Sequence, residues 1–144
     1  MSAERPAAPV RPRPSQASLR RAIRDRRACE RWEAATQAVM GEGPKRAEVM
    51  LVGETPGDRE DLEGHPFVGP AGGVLDRGMK RAGISRDDVY LTNAVKHFRY
   101  KLRGMVTLTT HPSAILRTPD EDRDRAMEQF VTDLREVVKW LNGK

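Results

Sequence analysis

The sequence predicts an α/β fold, a three-layer αβα sandwich around a short, mainly parallel sheet. Three observations carry that expectation. Glu48-Val49-Met50-Leu51-Val52 is a short, continuous apolar run of the kind that fills a buried parallel strand. A glycine-rich stretch, a helical pattern and a second run rich in β-branched and aromatic residues follow it in the order of a right-handed βαβ unit. The C-terminal stretch then places its apolar residues on one helical face.

Residues 1–15 are rich in proline and arginine and have no periodicity, which reads as a disordered tail ahead of a single domain over 16–144. With Ser15 or Ser18 as N-cap, a helix is expected to about Ala35, carrying Leu19, Ala22, Ile23, Ala28 and Trp32 as a thin apolar stripe. Gly41, Gly43 and Pro44 break the chain before the first strand. Two glycine-rich patches come next, Gly53 to Gly57 and Gly69 to Gly73. The second opens a helix with Val74, Leu75, Met79 and Ala82 that Gly83 closes. Ser85, Asp87 and Asp88 turn the chain into a strand over 89–95. Residues 105–110 form a third expected strand, which runs into His111-Pro112. Thr118 as N-cap and Pro119 at the first helical position start the last helix, whose apolar face is Met127, Phe130, Val131, Leu134, Val137, Val138 and Leu141.

A chain of 144 residues is the size of one domain. Its 26 Lys and Arg against 21 Asp and Glu leave a formal charge of +5, much of it in the first fifty residues, which favours a polyanionic partner. The single cysteine, Cys29, excludes an intramolecular disulfide. No apolar run reaches membrane-spanning length, and prolines follow the basic N-terminus where a secretory signal would be apolar. A cytoplasmic protein is expected.

Open α/β sheets bind ligands at the carboxyl ends of their strands. Gly53 and Glu54 end the first strand, Asn93 lies near the end of the second and His111 ends the third, so a carboxylate, an amide and an imidazole converge on one crevice. The Gly69 to Gly73 loop adds helix N-terminal amides suited to an anion. Each residue also has a plainer reading: Glu54 as a solvated loop charge, Asn93 as a cap, His-Pro as a strand terminator. Phe67, between Pro66 and Val68, is either a core plug or a stacking face.

Four segments in order carry a resemblance. They are GEGPKRAEVMLVGETPG from Gly41, GHPFVGPAG from Gly64, YLTNAVKHF from Tyr90 and HPSAILR from His111. Together they resemble the uracil-DNA glycosylases of the iron–sulfur type (family 4), and still more the related bacterial branch that bonds covalently to uracil-containing DNA. With the flanking helices the resemblance covers residues from about 20 to 141.

The resemblance implies base-excision repair of uracil-containing DNA by hydrolysis of the N-glycosidic bond; the alternative is an inactive remnant that binds uracil or DNA. Asn93 would read the N3–H and O4 of uracil and Phe67 would stack on it, as an enzyme acting on an extruded base requires. His111 would donate to O2, and Glu54 would handle the sugar and the attacking water. The loop of Gly53, Thr55, Pro56 and Gly57, with Gly72, would hold the base, and Ser113 would contact a phosphate.

The sequence departs from the family in three ways. No Lys-Arg-Arg-Ile-His run occurs, so covalent capture through that histidine is not expected. Cys29 matches the second cysteine of the family's first pair, Arg26 stands at the first, and the other two would lie in a segment that is missing here. No [4Fe–4S] cluster and no other cofactor is therefore expected. One family strand also belongs to that segment, and its place must be taken by direct pairing of its neighbours or by a partner's strand. The sequence leaves the oligomeric state open.

Overall fold

A computed structural model describes residues 15–24, 35–94 and 108–143. Its elements are α1 (Gln16–Arg24), β1 (Val49–Gly53), α2 (Asp58–Glu63), α3 (Pro70–Ala82), a single 3₁₀ turn (Arg86–Asp88), β2 (Val89–Asn93), α4 (Pro112–Arg117) and α5 (Asp120–Asn142). The class is α/β, as expected. The tail over residues 1–14 lies outside the described residues.

β1 and β2 pair in parallel with no offset, from Val49 opposite Val89 to Gly53 opposite Asn93. The far edge of β2 is occupied by Glu42, whose N–H and C=O exchange hydrogen bonds of 2.9 and 2.7 Å with Leu91. The chain crosses between the strands through α2 and α3. α3 begins with Pro70, which needs no N–H donor there, and ends at Gly83 in the left-handed region at φ 79°.

The core is one cluster. α3 contributes Val74, Leu75, Met79 and Ala82; β2 contributes Val89 and Leu91; α4 contributes Ile115; α5 contributes Met127, Phe130, Val131 and Leu134. Val49 and Leu51 pack against it from β1. Met50 and Val52 alternate to the other face and are 50% and 48% exposed. The apolar run at 48–52 is thus a strand covered on one face by the described residues, and the period of two decides which of its side chains reach the core.

Several expected elements shift. Residues 105–107 lie outside the described residues, and Leu108 to Thr110 are irregular, with Leu108 90% exposed. Thr109 is tied to α5 instead, its Oγ1 donating to Asp133 at 2.6 Å. His111 therefore ends no strand; it is the N-cap of α4. Thr118 caps no N-terminus either. It closes α4, its Oγ1 donating to the carbonyl of Ala114, and Pro119 takes the N-cap position of α5. Ser15 does cap α1, accepting from the Ser18 amide at 3.1 Å. The expected continuation of that helix falls on 25–34, outside the described residues, and Ala35 is not helical.

α2 has no counterpart among the expected elements, because its six residues, DREDLE, offer no apolar periodicity. Its anchors are polar. The Asp61 carboxylate accepts from the amides of Thr36 and Gln37, and Gln37 returns two bonds from Nε2 to the carbonyls of Asp61 and Leu62.

Candidate functional site

The parallel register sets Gly53 and Asn93 side by side at the carboxyl ends of the two strands, and the Ala94 amide donates to the Gly53 carbonyl at 2.6 Å. Asn93 is only 6% exposed, and among the described residues its carboxamide has no hydrogen-bond partner. An amide buried without a partner costs roughly 1–3 kcal/mol, which a ligand of matching donors and acceptors recovers. Gly53 makes room for it: a β-carbon there would stand 2.4 Å from Asn93 Oδ1 and 2.7 Å from Phe67 Cζ.

Phe67 is 7% exposed and belongs to the core cluster, so the core-plug reading holds for most of its surface. Its ring nevertheless borders the strand ends, tilted 31° to the His111 ring at a centroid separation of 6.4 Å. The backbone of Phe67 is at φ 57°, a left-handed conformation that costs a side-chain-bearing residue roughly 1–2 kcal/mol. Gly72 packs on its carbonyl so closely that a β-carbon would lie 1.9 Å from Phe67 O. Gly72 thus stands behind the aromatic ring and shapes the loop that carries it.

His111 has its orientation fixed by the turn it caps. Nδ1 accepts the Ser113 backbone amide at 3.2 Å and lies 2.8 Å from Ser113 Oγ. Because an amide can only donate, the neutral ring carries its proton on Nε2, leaving that nitrogen as the donor.

Glu54 is exposed and follows Gly53 directly; Thr55 and Pro56 are half-buried, and Gly57 is the N-cap of α2. The loop is closed from behind by Glu60, which is 93% buried by its 7% exposure. Glu60 Oε1 accepts the Gly69 amide at 2.8 Å, and Oε2 lies where a β-carbon on Gly57 would be 2.7 Å away. The amide at the N-terminus of α3 that was expected to face an anionic ligand is therefore taken by an internal carboxylate. Nothing local marks Glu60 in the sequence, because an acidic run reads as a solvated face.

A model of the uracil DNA glycosylase superfamily matches residues 40–105. The chain is similar to the type-4 uracil-DNA glycosylases of Saccharolobus solfataricus (48% identical over 75 residues, 51% of this chain and 35% of that protein) and Sulfurisphaera tokodaii (52% over 69 residues, 47% and 31%). A third, from Archaeoglobus fulgidus, is 45% identical over 76 residues, 53% of this chain and 38% of that protein. The chain spans about a third of the length of the curated relatives it matches.

The residues that the family model matches include Gly53 to Gly57, Phe67, Gly72 and Asn93, while His111 and Ser113 lie beyond them. The fold brings Gly53, Phe67, Asn93 and His111 together, sets Glu54 at their margin and Ser113 beside His111. As for the cluster implied by the type-4 resemblance, the donor set is one thiolate, Cys29, outside the described residues. Among the described residues no three His, Cys, Asp or Glu side chains converge. One thiolate does not match a four-cysteine site.

Proposed function

We propose that this chain recognises uracil in DNA and hydrolyses its N-glycosidic bond. The observation that carries the reading is the buried Asn93 carboxamide at the strand ends, which has no hydrogen-bond partner among the described residues and lies beside Gly53 and the Phe67 ring, itself next to His111. A carboxamide offers one acceptor and two donors, which match the N3–H and O4 of uracil. Phe67 supplies a π-face for the extruded base.

As the bond to C1′ breaks, electrons move onto the base and positive character grows on the sugar. The Nε2–H of His111 is a donor for O2, where that negative charge collects. Glu54, at the exposed margin, is the carboxylate available to the sugar cation and to the water that adds to C1′. The loop over Gly53, Thr55, Pro56 and Gly57 holds the base, and Ser113 Oγ takes a neighbouring phosphate. No step is routed through an iron–sulfur cluster, since one cysteine cannot hold it, and none through a covalent histidine. Uracil-containing DNA is the partner and the cytoplasm the place of action. No helix among the described residues is long and apolar enough to cross a membrane.

The test is incubation of the chain with single-stranded DNA containing one uracil, followed by alkaline cleavage at abasic sites. The expected result is cleavage that Asn93→Asp reduces. Uracil-dependent binding without cleavage supports the second reading, a recognition module without the reaction. Neither product nor uracil-dependent binding overturns both.

A further inference from the structure

Three separate constraints meet at the backbone of Phe67: a left-handed φ of 57°, a Gly72 packed against its carbonyl, and a cation. The cation is Arg86. Its Nη2 donates to the carbonyls of Pro66 at 3.1 Å and Phe67 at 3.3 Å, while its Nη1 pairs with Asp76 on α3. Arg86 opens the 3₁₀ turn that leads within three residues into β2, the strand that ends on Asn93. One guanidinium therefore joins the loop carrying the ring, the helix behind it and the strand carrying the amide.

We propose that Arg86 is a positioning residue that holds the Phe67 ring at its angle to Asn93, with Asp76 orienting the guanidinium. A left-handed backbone relaxes unless its surroundings over-determine it. Two carbonyls aimed at one charged donor supply that constraint, since charge-assisted bonds are stronger than neutral ones. The planar fork can span a carboxylate and two carbonyls at once; an ammonium at the same place cannot. The inference rests on the reading of Phe67 as the platform for the base.

The experiment uses the full chain with 4-fluorophenylalanine at its three phenylalanines, the Phe67 signal being assigned by Phe67→Leu. In Arg86→Lys the Phe67 fluorine signal is expected to shift or broaden while that of Phe130, in the core, stays in place. Binding of uracil-containing single strand is expected to weaken about tenfold, within the range that loss of a stacked ring produces. In the Phe67→Leu background the same substitution is expected to add nothing, because both act through one ring. Asp76→Asn is expected to move the Phe67 signal in the same direction by less, and it decides the matter should Arg86→Lys also disturb Phe130.

An unmoved Phe67 signal in folded Arg86→Lys, or additive losses with Phe67→Leu, overturns the proposal. A Phe67 signal that moves, together with wild type and Phe67→Leu binding uracil and thymine strands alike, leaves Arg86 as the clamp on the ring. In that case it is the assignment of the ring to the base that falls.

Discussion

Gly53 and Asn93 are register partners on adjacent parallel strands, and the missing side chain of the first is the space into which the carboxamide of the second points. A β-carbon at 53 would press on Asn93 Oδ1 and on Phe67 Cζ, both side-chain atoms that can yield. Gly53→Ala is therefore expected to leave the fold standing, at a cost of about 1–3 kcal/mol. Its larger effect is a displaced amide and ring. Uracil-dependent binding is expected to fall at least tenfold, about 1.4 kcal/mol or more. Thermal unfolding and binding titration on one sample check both halves, and unchanged binding would remove Gly53 from the site.

Gly72 gives the opposite balance. The atoms that a β-carbon there would meet are the carbonyl oxygen and carbon of Phe67, at 1.9 and 2.4 Å, and backbone has nowhere to go. Gly72→Ala is expected to cost about 3 kcal/mol or more, the upper end of overpacking penalties, with a matching drop in the unfolding midpoint. A variant as stable as wild type would show that α3 does not pack on the loop this closely.

The contrast between the two glycines marks how far the sequence can be read. Both stand in glycine-rich patches that announce turns, and α3 with its Gly83 stop and the polar-to-apolar rhythm of α5 were legible from period and capping alone. The pairing of Gly53 with Asn93 was legible as two strand ends meeting in one crevice. What glycine at 72 is for was not, because the atom it avoids belongs to a residue five positions away in a left-handed conformation that no local pattern encodes. Glu60 was hidden for a related reason: a carboxylate in an acidic helix looks solvated until the fold brings the Gly69 amide to it. The expected strand at 105–110 failed at Leu108 to Thr110, where β-branched composition was overridden by a tether to α5 and by the cap that His111 provides. Strand propensity there reflected packing that those three residues do not have.

Asp61 supplies a pH dependence with a definite sign. Its carboxyl is held below the ordinary 3.8, chiefly by the Thr36 amide, then by the Thr36 side chain, and least by the Gln37 amide. A depressed folded pKa gives stability that is present above the unfolded value and lost as pH falls through the folded one. Asp61→Asn is therefore expected to be less stable than wild type from neutral pH down to about 5. The gap should close as pH drops below about 4. Denaturant unfolding at several pH values measures it; a gap that stays constant into the acid range would show that the carboxylate charge contributes nothing.

His111 is the residue for which the geometry makes the sharpest chemical statement. Its Nδ1 faces the Ser113 amide at 3.2 Å, and a backbone N–H leaves no room for a second proton on that nitrogen. With the ring neutral, nitrogen-15 NMR is expected to show the proton on Nε2. Ser113→Ala keeps the backbone amide and should keep this tautomer, even though the hydroxyl at 2.8 Å is gone. Ser113→Pro removes the amide proton at a first-turn position of α4 that tolerates proline, and should release the preference. If the Nε2 proton is the donor to the base, His111→Ala is expected to lower excision by about a hundred- to a thousandfold, as loss of one preorganised donor does elsewhere. Ser113→Pro should then lose a large part of the same activity without touching the imidazole, whereas Ser113→Ala loses only the contribution of its hydroxyl to phosphate. A proton found on Nδ1 in wild type would break this chain at its first link, whatever the activities of the three variants.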